Sequence, residues 1–540
     1  MAAAPPEVGP TESNNRSLGE EVVDPATAIT AIRIDEKAAR RLREKEDRGS
    51  LLYWVLATAV LVLVGEQTIL SILMYTPVLS DVALEFQTSN VVWMLTAFTL
   101  ASAVFLPLMC KLADVYGKAR VLIAGSAVSA LGCFICLVAP NFTVILIGRV
   151  LMAASFACAP LSVALMREVI PERMRAVAIA MATNGFGVVV IGGPLLAGYM
   201  GTAFGVRSIF LLNLVICAVS ALLVWGLVPE SPARALMRVD YLGSALLGAA
   251  LFGLLVGFSE IPTRGFADPL VLIGVIGGTV ASIVWWYQQQ RVAAPVISVK
   301  LLRYRPIWTT LFAVLSTSGV AAAVNYLVSL AWSADPTTTT YGHGLSAFEI
   351  GLWSVPAGVL TVIAGIAVGL TVRSIGYRTH MIVAMVFWTV PAVLLALFLS
   401  APPFALIVIY GLFGLANASQ AAAAGLILLA TPADQRGVAQ GMNYALHGIG
   451  AAIVQQITFT MLSASVVGTV SGVPVYGESG FRNAYLVAGV IGAIGLVGSL
   501  AIPHGRRLGI PKTRSTTAEN AGEPIDGREA DHTRASTRAS

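Results

Sequence analysis

Two ionisable side chains lie within long apolar stretches of the sequence, where a charge is energetically unfavourable. Glu66 lies in the apolar run 51–79, and Arg149 lies in the run 142–165. Glu66 follows the start of its run by about fifteen residues, which is roughly 22 Å along a helix. An ionised side chain at the centre of a membrane helix costs about 2.5–3.5 kcal/mol, so it should face a protein interior or a wet cavity. There, Glu66 either exchanges protons or binds a cation, or it is a structural acid hydrogen-bonded inside the bundle.

The composition indicates that these runs cross a membrane. Of the 540 residues, 56% are hydrophobic and 12% are charged, whereas a soluble domain carries roughly 25% charged residues. The charges concentrate near both ends and in short intervals between apolar runs. Each run is long enough to cross a hydrocarbon core of roughly 30 Å as a helix. The first run begins only at residue 51, so we expect no cleaved signal peptide.

The sequence therefore predicts an all-α polytopic membrane protein with fourteen spans. If the N-terminus is cytoplasmic, most loop arginines and lysines fall on the cytoplasmic side, as the positive-inside rule requires. Both tails are basic, which favours an even number of spans and two cytoplasmic termini. The predicted spans are 51–79, 91–109, 121–139, 142–165, 174–200, 208–228, 241–259, 269–288, 308–332, 348–371, 379–400, 403–430, 437–463 and 482–503.

An internal repeat predicts how these spans are organised. The pattern P-x-x-x-R-x-V-A-x-x-M occurs at 171–181 and again at 432–442, and Gly117 has a counterpart in Gly376. The repeat comprises six spans in the same orientation, with two extra spans inserted between the copies. Parallel halves around a central path are typical of transporters. The expected domains are a disordered, charged N-terminal tail at 1–50, an N-terminal bundle at 51–230, the inserted pair with its linkers at 231–305, a C-terminal bundle at 306–503 and a disordered C-terminal tail at 504–540.

Within the N-terminal tail, residues 29–48 are expected to form a short charged helix. This helix would either contact anionic lipid or simply present a solvated face.

One loop carries a family resemblance. The segment C-K-L-A-D-V-Y-G-K-A-R at 110–120 resembles the loop between the second and third helices of the major facilitator superfamily. The likeness extends over 51–503 and favours the fourteen-helix drug:proton antiporter branch. Cys110 replaces a glycine of the family pattern, and Val115 replaces an arginine. The resemblance implies a gating loop formed by Asp114, Gly117, Lys118 and Arg120, in which a tight turn requires the glycine.

Two further segments carry the same resemblance. The fifth span resembles the family's antiporter element through Gly187, Gly193, Pro194 and Gly198. In the first span, Glu66 stands where the branch usually has an aspartate. The resemblance implies that Glu66 and Arg149 act in proton coupling or substrate binding. Arg149 either pairs with Glu66 or reaches an outer aqueous cavity.

Other polar residues of the spans are candidates to line a path. His447 is interpreted either as a packed polar residue or as a proton relay. The candidates are Gln67, Thr68, Asn184, Asn325, Tyr326, Asn417, Gln420, Asn443 and His447.

The preferred function is a proton-driven exporter of amphipathic or cationic compounds. Alternatives are a dedicated exporter or importer of a lipid, siderophore or metabolite, and, from other classes, a membrane enzyme or receptor. The scattered histidines argue against an enzyme. We expect no cofactor and no metal, because the proton gradient supplies the energy. The expected partners are a small-molecule substrate, protons and membrane lipids, without nucleic acid, and the protein is expected to be a monomer. The excess of arginine over lysine suggests a GC-rich bacterial source, and hence a plasma membrane.

Overall fold

The computed structural model describes residues 32–35, 40, 50–235, 239–292, 295, 297–432, 435–470 and 473–505. The predicted all-helical membrane architecture is confirmed across this part of the chain. Twelve helices of the described residues are long and apolar enough to cross a membrane.

The helices follow the predicted spans closely. In chain order they are α1 (Leu51–Leu73), α2 (Leu79–Glu85), α3 (Trp93–Tyr116), α4 (Lys118–Leu137), α5 (Phe142–Met152), α6 (Cys158–Val169), α7 (Glu172–Phe204), α8 (Arg207–Leu227), α9 (Tyr241–Arg264), α10 (Pro269–Arg291), α11 (Val299–Leu302), α12 (Arg305–Ser333), α13 (Ala347–Leu397), α14 (Pro403–Ala416), α15 (Ala418–Ala430), α16 (Arg436–Ser463) and α17 (Glu478–Leu500).

Local chemistry accounts for several helix boundaries. The Ser50 side chain caps α1 by accepting from the Tyr53 backbone N–H, and the Asn141 side chain caps α5 by accepting from Val144. Such side chains satisfy N–H groups that have no partner inside the helix. Gly117 separates α3 from α4 with a φ of 113°, a conformation that favours glycine. The predicted tight turn at Gly117 is thereby confirmed.

The repeat is visible in the backbone at Gly376. This glycine has a φ of 80° and interrupts the 51 residues of α13, which therefore consists of two helices meeting at a kink. A continuous helix of that length would span roughly 76 Å. Gly376 is the sequence counterpart of Gly117, and both glycines mark a sharp turn at the same position of their repeats.

Three expectations about element bounds are corrected. The first apolar run ends as a helix at Leu73, and a separate short helix, α2, follows it. The predicted span 142–165 is divided by a 3₁₀ segment, Ala153–Ala157, and the span 403–430 is divided at Asn417. Both breaks lie in the fourth span of their repeat. A 3₁₀ turn inside a helix changes the direction of its backbone carbonyl groups, which can then accept hydrogen bonds from other parts of the protein.

The N-terminal tail is corrected at residues 32–34. The expected charged helix is replaced there by strand β1 (Ile32–Ile34), which pairs antiparallel with β2 (Ala233–Ala235). The Asp35 N–H donates to the Pro232 carbonyl at 2.7 Å. A second hairpin, β3 (Val466–Val470) with β4 (Val473–Tyr476), joins α16 to α17. Valines favour the strands of the β3–β4 hairpin, and isoleucines favour β1, but no long periodic run predicts either pair.

The two faces of the bundle can be named from the helix ends. The tail face holds the start of α1, where the Tyr53 hydroxyl donates to the Leu227 carbonyl, and the end of α17, where Arg378 donates to the Leu500 carbonyl. The distal face is the opposite one. The two halves contact each other along α3 with α16 and along α7 with α13. The inserted helices α9 and α10 pack on each other, and α9 also touches α3 and α16.

Small residues allow the halves to approach closely. A Cβ atom added to Gly448 of α16 would lie 3.0 Å from the Thr99 carbonyl oxygen of α3, and one added to Gly198 of α7 would lie 2.6 Å from Phe348 Cα of α13. Glycine at such crossings lets helix backbones come together inside a membrane. The interface between the halves is therefore a pair of close helix crossings.

Candidate functional site

Arg149 is fully buried and is held by backbone carbonyls and aromatic rings. Its Nε donates to the Met94 carbonyl at 3.0 Å, and its Nη1 donates to the Ser71 carbonyl at 3.1 Å. The guanidinium carbon lies 4.2 Å from the Tyr75 ring centre and 4.6 Å from the Phe98 ring centre. Cation–π contacts and charge-assisted hydrogen bonds stabilise a desolvated guanidinium. Its Nη2 has no hydrogen-bond partner among the described residues.

Arg149 lines a small cavity between the two halves. The cavity has a volume of about 50 Å³, enough for a few water molecules. The N-terminal half contributes α1, α3 and α5 to its wall, and the C-terminal half contributes α12 and α16. Its lining residues are Ile72, Leu73, Thr76, Leu95, Phe98, Thr99, Arg149, Ala322, Asn325 and Gln455.

Polar groups of the C-terminal half face Arg149 across this cavity. Asn325 donates from Nδ2 to the Ala321 carbonyl at 2.8 Å and accepts at Oδ1 from the Tyr410 hydroxyl at 2.9 Å. Gln455 accepts at Oε1 from Thr96 at 3.5 Å. Guanidinium, amide and hydroxyl groups therefore line the same cavity. Asn325 is thus the predicted path residue of the C-terminal half that lies beside Arg149.

Glu66 lies on the face of α1 that leads to this cavity. Its side chain is 8% exposed, and its Oε2 has no hydrogen-bond partner among the described residues. Glu66, Leu70 and Leu73 share one helix face because they are spaced i, i+4 and i+7. Leu73 lines the cavity. Glu66 is therefore roughly 10 Å from the cavity wall along the helix axis, toward the tail face.

No salt bridge joins Glu66 to Arg149 within the described part of the chain. The Arg149 bonds go instead to the carbonyls of Met94 and Ser71. Of the two alternatives for Arg149, the geometry favours contact with a cavity over a direct pair. The sequence could not predict this outcome. Every residue has a backbone carbonyl, so no residue type marks the carbonyls that bind Arg149.

Gln67 and Thr68 point away from the cavity and anchor α1. Gln67 donates from Nε2 to Ser126 of α4 at 2.8 Å, and Thr68 donates to the Ser155 carbonyl of the 3₁₀ segment at 2.6 Å. These contacts fix the rotation of α1. They turn the face that carries Glu66 toward α7, where Gly193 lies near Leu70.

Other predicted path residues bond within the C-terminal half and do not line the cavity. Tyr326 donates to Thr458 at 2.8 Å, Asn417 donates to Thr361 at 3.1 Å, and Asn443 donates to Gln440 at 3.3 Å. The Nε2 atoms of Gln420 and His447 lie 2.7 Å apart. The side chain of Asn184 and the surroundings of Gly187 lie outside the described residues.

The antiporter element places α7 against α13. A Cβ atom added to Gly351 of α13 would lie 2.8 Å from the Pro194 carbonyl oxygen, and Gly198 is in close contact with Ala347 and Phe348. Gly193 has ordinary packing distances to Leu70 of α1. In this arrangement the element forms the crossing between the halves.

The predicted gating loop forms an ion-pair cluster at the tail face. Lys118 Nζ lies 2.7 Å from a Glu168 oxygen and 3.7 Å from Asp114. Glu230 accepts from the backbone N–H of Ala119 at 2.9 Å and of Arg120 at 3.0 Å, so it caps α4. The sequence did not predict that Glu168 and Glu230 contact this loop. They lie about 50 and 110 residues beyond it, and no local sequence pattern links either glutamate to the loop.

Hydrogen bonds also join the two halves near the distal face. Ser329 of α12 donates to the Thr76 carbonyl, and the hydroxyls of Ser80 and Ser333 share a hydrogen bond. The Tyr476 hydroxyl of the second hairpin donates to the Ser89 carbonyl at 3.4 Å. These bonds join the two halves between the cavity residue Thr76 and the distal face.

Comparison with known proteins identifies the family. Residues 56–334, slightly more than half of the chain, match the family model of the Major Facilitator Superfamily. The chain therefore belongs to this superfamily: it is a multi-pass secondary transporter of a small molecule, and not an enzyme. These predictions are confirmed at that level.

Individual relatives differ in what they transport. The chain is 26% identical over 450 residues to a uridine/deoxyuridine transporter of Lactococcus lactis, a match covering 80% of this chain and 92% of that protein. Over 227 residues it is 34% identical to a multidrug resistance protein B homolog of Mycobacterium tuberculosis, covering 40% of this chain and 41% of that protein.

Solved structures share the fold. A D-xylose–proton symporter superposes with a TM-score of 0.57 at 14% identity, covering 83% of this chain and 97% of that chain.

Proposed function

We propose that the protein is a fourteen-helix, proton-coupled antiporter that exports amphipathic or cationic compounds across a bacterial plasma membrane. The central observation is the placement of Glu66, a buried carboxyl group on the helix face that leads to a cavity between the halves. Protonation of Glu66 from the distal side and its release toward the tail face would accompany rocking of the halves. A carboxyl group in such a position exchanges protons when a vestibule hydrates it.

Two features of the helices support the proposal of fourteen spans. To the twelve candidate spans, α7 adds one with its 33 residues. The kink at Gly376 divides α13 into two, which adds another. With fourteen spans, the start of α1 and the end of α17 share the tail face, which we assign to the cytoplasm by the positive-inside rule.

A nucleoside or similar neutral polar metabolite is the second candidate substrate. Arg149, Asn325 and Gln455 bring donors and acceptors to one cavity, and such groups suit the carbonyl and imide edges of a pyrimidine base. The similarity to a uridine/deoxyuridine transporter over most of both chains supports this candidate. The similarity to a multidrug resistance protein supports the preferred substrate class.

Reconstituted transport tests coupling and substrate together. The purified protein is placed in proteoliposomes with an imposed pH gradient, and ethidium and radiolabelled uridine are offered separately. We expect gradient-driven ethidium transport by the wild type. Glu66→Gln should abolish this net transport, while exchange of labelled for unlabelled substrate without a gradient should continue.

A matched control distinguishes the effect of the position of Glu66 from the general effect of replacing a glutamate with glutamine. Glu172→Gln removes a carboxylate whose side chain is 91% exposed, and it should transport normally. Gradient-driven transport by Glu66→Gln at the wild-type rate would reject proton coupling through this residue. Uridine transport without ethidium transport would reject the drug-export assignment in favour of the second candidate.

A further inference from the structure

An apolar groove opens on the outer surface of the C-terminal half. It lies between α12 and α17 and has a volume of about 530 Å³, within the roughly 300–1,000 Å³ range of small-molecule pockets. Its wall consists of hydrocarbon groups, among them Trp308 and Phe312 of α12 and Ile494 and Val497 of α17. These side chains are partly exposed, so the groove faces the lipid and not the path between the halves.

The length of the groove corresponds to one leaflet of a bilayer. On α17 it extends from Val490 to Ala501, which is roughly 16 Å at 1.5 Å per residue. Half of a hydrocarbon core of roughly 30 Å is about the same length. Gly498 helps to shape the groove, because a Cβ atom there would lie 2.6 Å from the Phe312 ring. An extended acyl chain therefore matches the groove in length and polarity.

Two arginines lie close in the structure to the end of the groove at the tail face. Arg305 is exposed and begins α12, and Arg305, Trp308 and Phe312 share one helix face at spacings i, i+3 and i+7. Arg378 donates from Nη2 to the Leu500 carbonyl at 2.6 Å, beside the groove residue Ala501. The segments 297–309 and 497–505 contain no acidic residue. Tryptophan at this depth is typical of the membrane interface.

We propose that the groove between α12 and α17 binds an anionic phospholipid, with an acyl chain along Trp308 and Phe312 and the phosphate at Arg305. Basic clusters at a membrane surface attract anionic headgroups. A zwitterionic lipid fills the apolar part equally well but gains less from Arg305. The site is distinct from the transport path and does not depend on the substrate proposed above.

Quenching of Trp308 fluorescence by brominated acyl chains tests the site directly. The full chain is reconstituted in phosphatidylcholine vesicles that contain dibrominated phosphatidylglycerol or, separately, dibrominated phosphatidylcholine. The chain has nine tryptophans, so the Trp308 contribution is the difference from Trp308→Phe. We expect this contribution to be quenched at a lower mole fraction of the brominated phosphatidylglycerol.

Charge variants distinguish a site from general surface attraction. Arg305→Gln should weaken the apparent phosphatidylglycerol affinity about fivefold, and Arg305→Lys should largely restore it. Arg373→Gln is the matched control, since Arg373 is also an exposed arginine near the Gly376 turn but belongs to α13. Ala493→Phe, which fills the groove, should abolish the preference without removing any charge.

Three results would overturn the proposal. Equal quenching by the two brominated lipids would mean that the groove holds only bulk lipid. An equal loss of preference in Arg305→Gln and Arg373→Gln would assign the effect to general surface charge. Protection of Trp308 that increases with the protein-to-lipid ratio would assign the groove to a second copy of the chain.

Discussion

The guanidinium carbon of Arg149 lies 4.2 Å from the centre of the Tyr75 ring, and Phe98 faces the same cation at 4.6 Å. Two aromatic rings and two backbone carbonyls thus hold the charge inside the N-terminal half, without a carboxylate partner among the described residues. These contacts use Nε and Nη1, and the remaining Nη2 has no hydrogen-bond partner among the described residues. In the proposed function, Arg149 is a preorganised donor for a substrate.

Arg149→Lys is expected to raise the KM for the transported substrate about tenfold or more. A lysine keeps the charge but lacks the planar fork that both stacks on the rings and donates in several directions. One lost charge-assisted hydrogen bond corresponds to about 1.5–3 kcal/mol. Initial rates of substrate exchange in proteoliposomes measure the change.

Arg207→Lys provides the control for that substitution. Arg207 also donates to two carbonyls, those of Leu137 and Ala139, and it pairs with Glu85 near the distal face. Its replacement should lower the melting temperature and leave KM unchanged. If both lysine variants alter KM alike, Arg149 has no specific role in binding.

Gly198→Val is expected to separate α7 from α13. The added Cβ would meet the Ala347 carbonyl and lie 2.6 Å from Phe348 Cα, and backbone atoms cannot yield as a flexible side chain would. Overpacking of this kind costs about 1–3 kcal/mol. Thermal unfolding in detergent should show a lower melting temperature, together with slower transport.

Gly192→Ala is the matched glycine replacement in the same helix. A Cβ at Gly192 meets no atom within 4 Å, and alanine favours a helix over glycine by about 0.8–1.0 kcal/mol. We expect unchanged or slightly higher stability. Equal destabilisation by both replacements would show that the α7–α13 crossing is not tight.

A disulfide between Ser80→Cys and Ser333→Cys should block transport. The two serine hydroxyls share a hydrogen bond that joins the halves at the distal face. A covalent link there prevents the rocking that alternating access requires. The variant is made in a background that lacks the five native cysteines. Transport is measured after oxidation, and a gel shift after proteolytic cleavage between the two halves, within 231–305, reports the cross-link. Recovery on reduction is expected, and full activity of the cross-linked protein would contradict rocking at this contact.

Glu230→Gln is expected to destabilise the tail face by about 1 kcal/mol. The Glu230 side chain is 17% exposed, and it accepts from two N–H groups at the start of α4, where the helix dipole favours a negative charge. An amide keeps one acceptor but loses the charge. Denaturant unfolding in mixed micelles measures the free energy of unfolding, with Glu172→Gln as the exposed control. A free energy of unfolding equal to that of the control would contradict the capping role of Glu230.

Much of the fold was predictable because a membrane helix requires a long apolar run, which is visible in the local sequence. The apolar runs are helical, although three of them end early or are divided, and the kink at Gly376 lies at the position that the repeat of Gly117 predicts. Segments that lack a long apolar run were less predictable. Residues 32–34 pair as a strand with Ala233–Ala235, a partner about 200 residues away whose choice depends on the packed bundle.

By itself, the sequence determined that Glu66 and Arg149 lie inside the membrane, since the apolar runs around them fix their depth. It also determined the two related halves through the repeat. Only the tertiary structure decided the partners: Arg149 bonds to the Met94 and Ser71 carbonyls and shares a cavity with Asn325 of the other half. The physical reason is that the depth of a residue in the membrane depends on its position along one helix. Its contacts depend on how several helices rotate and cross, and packing between distant segments of the chain determines that geometry.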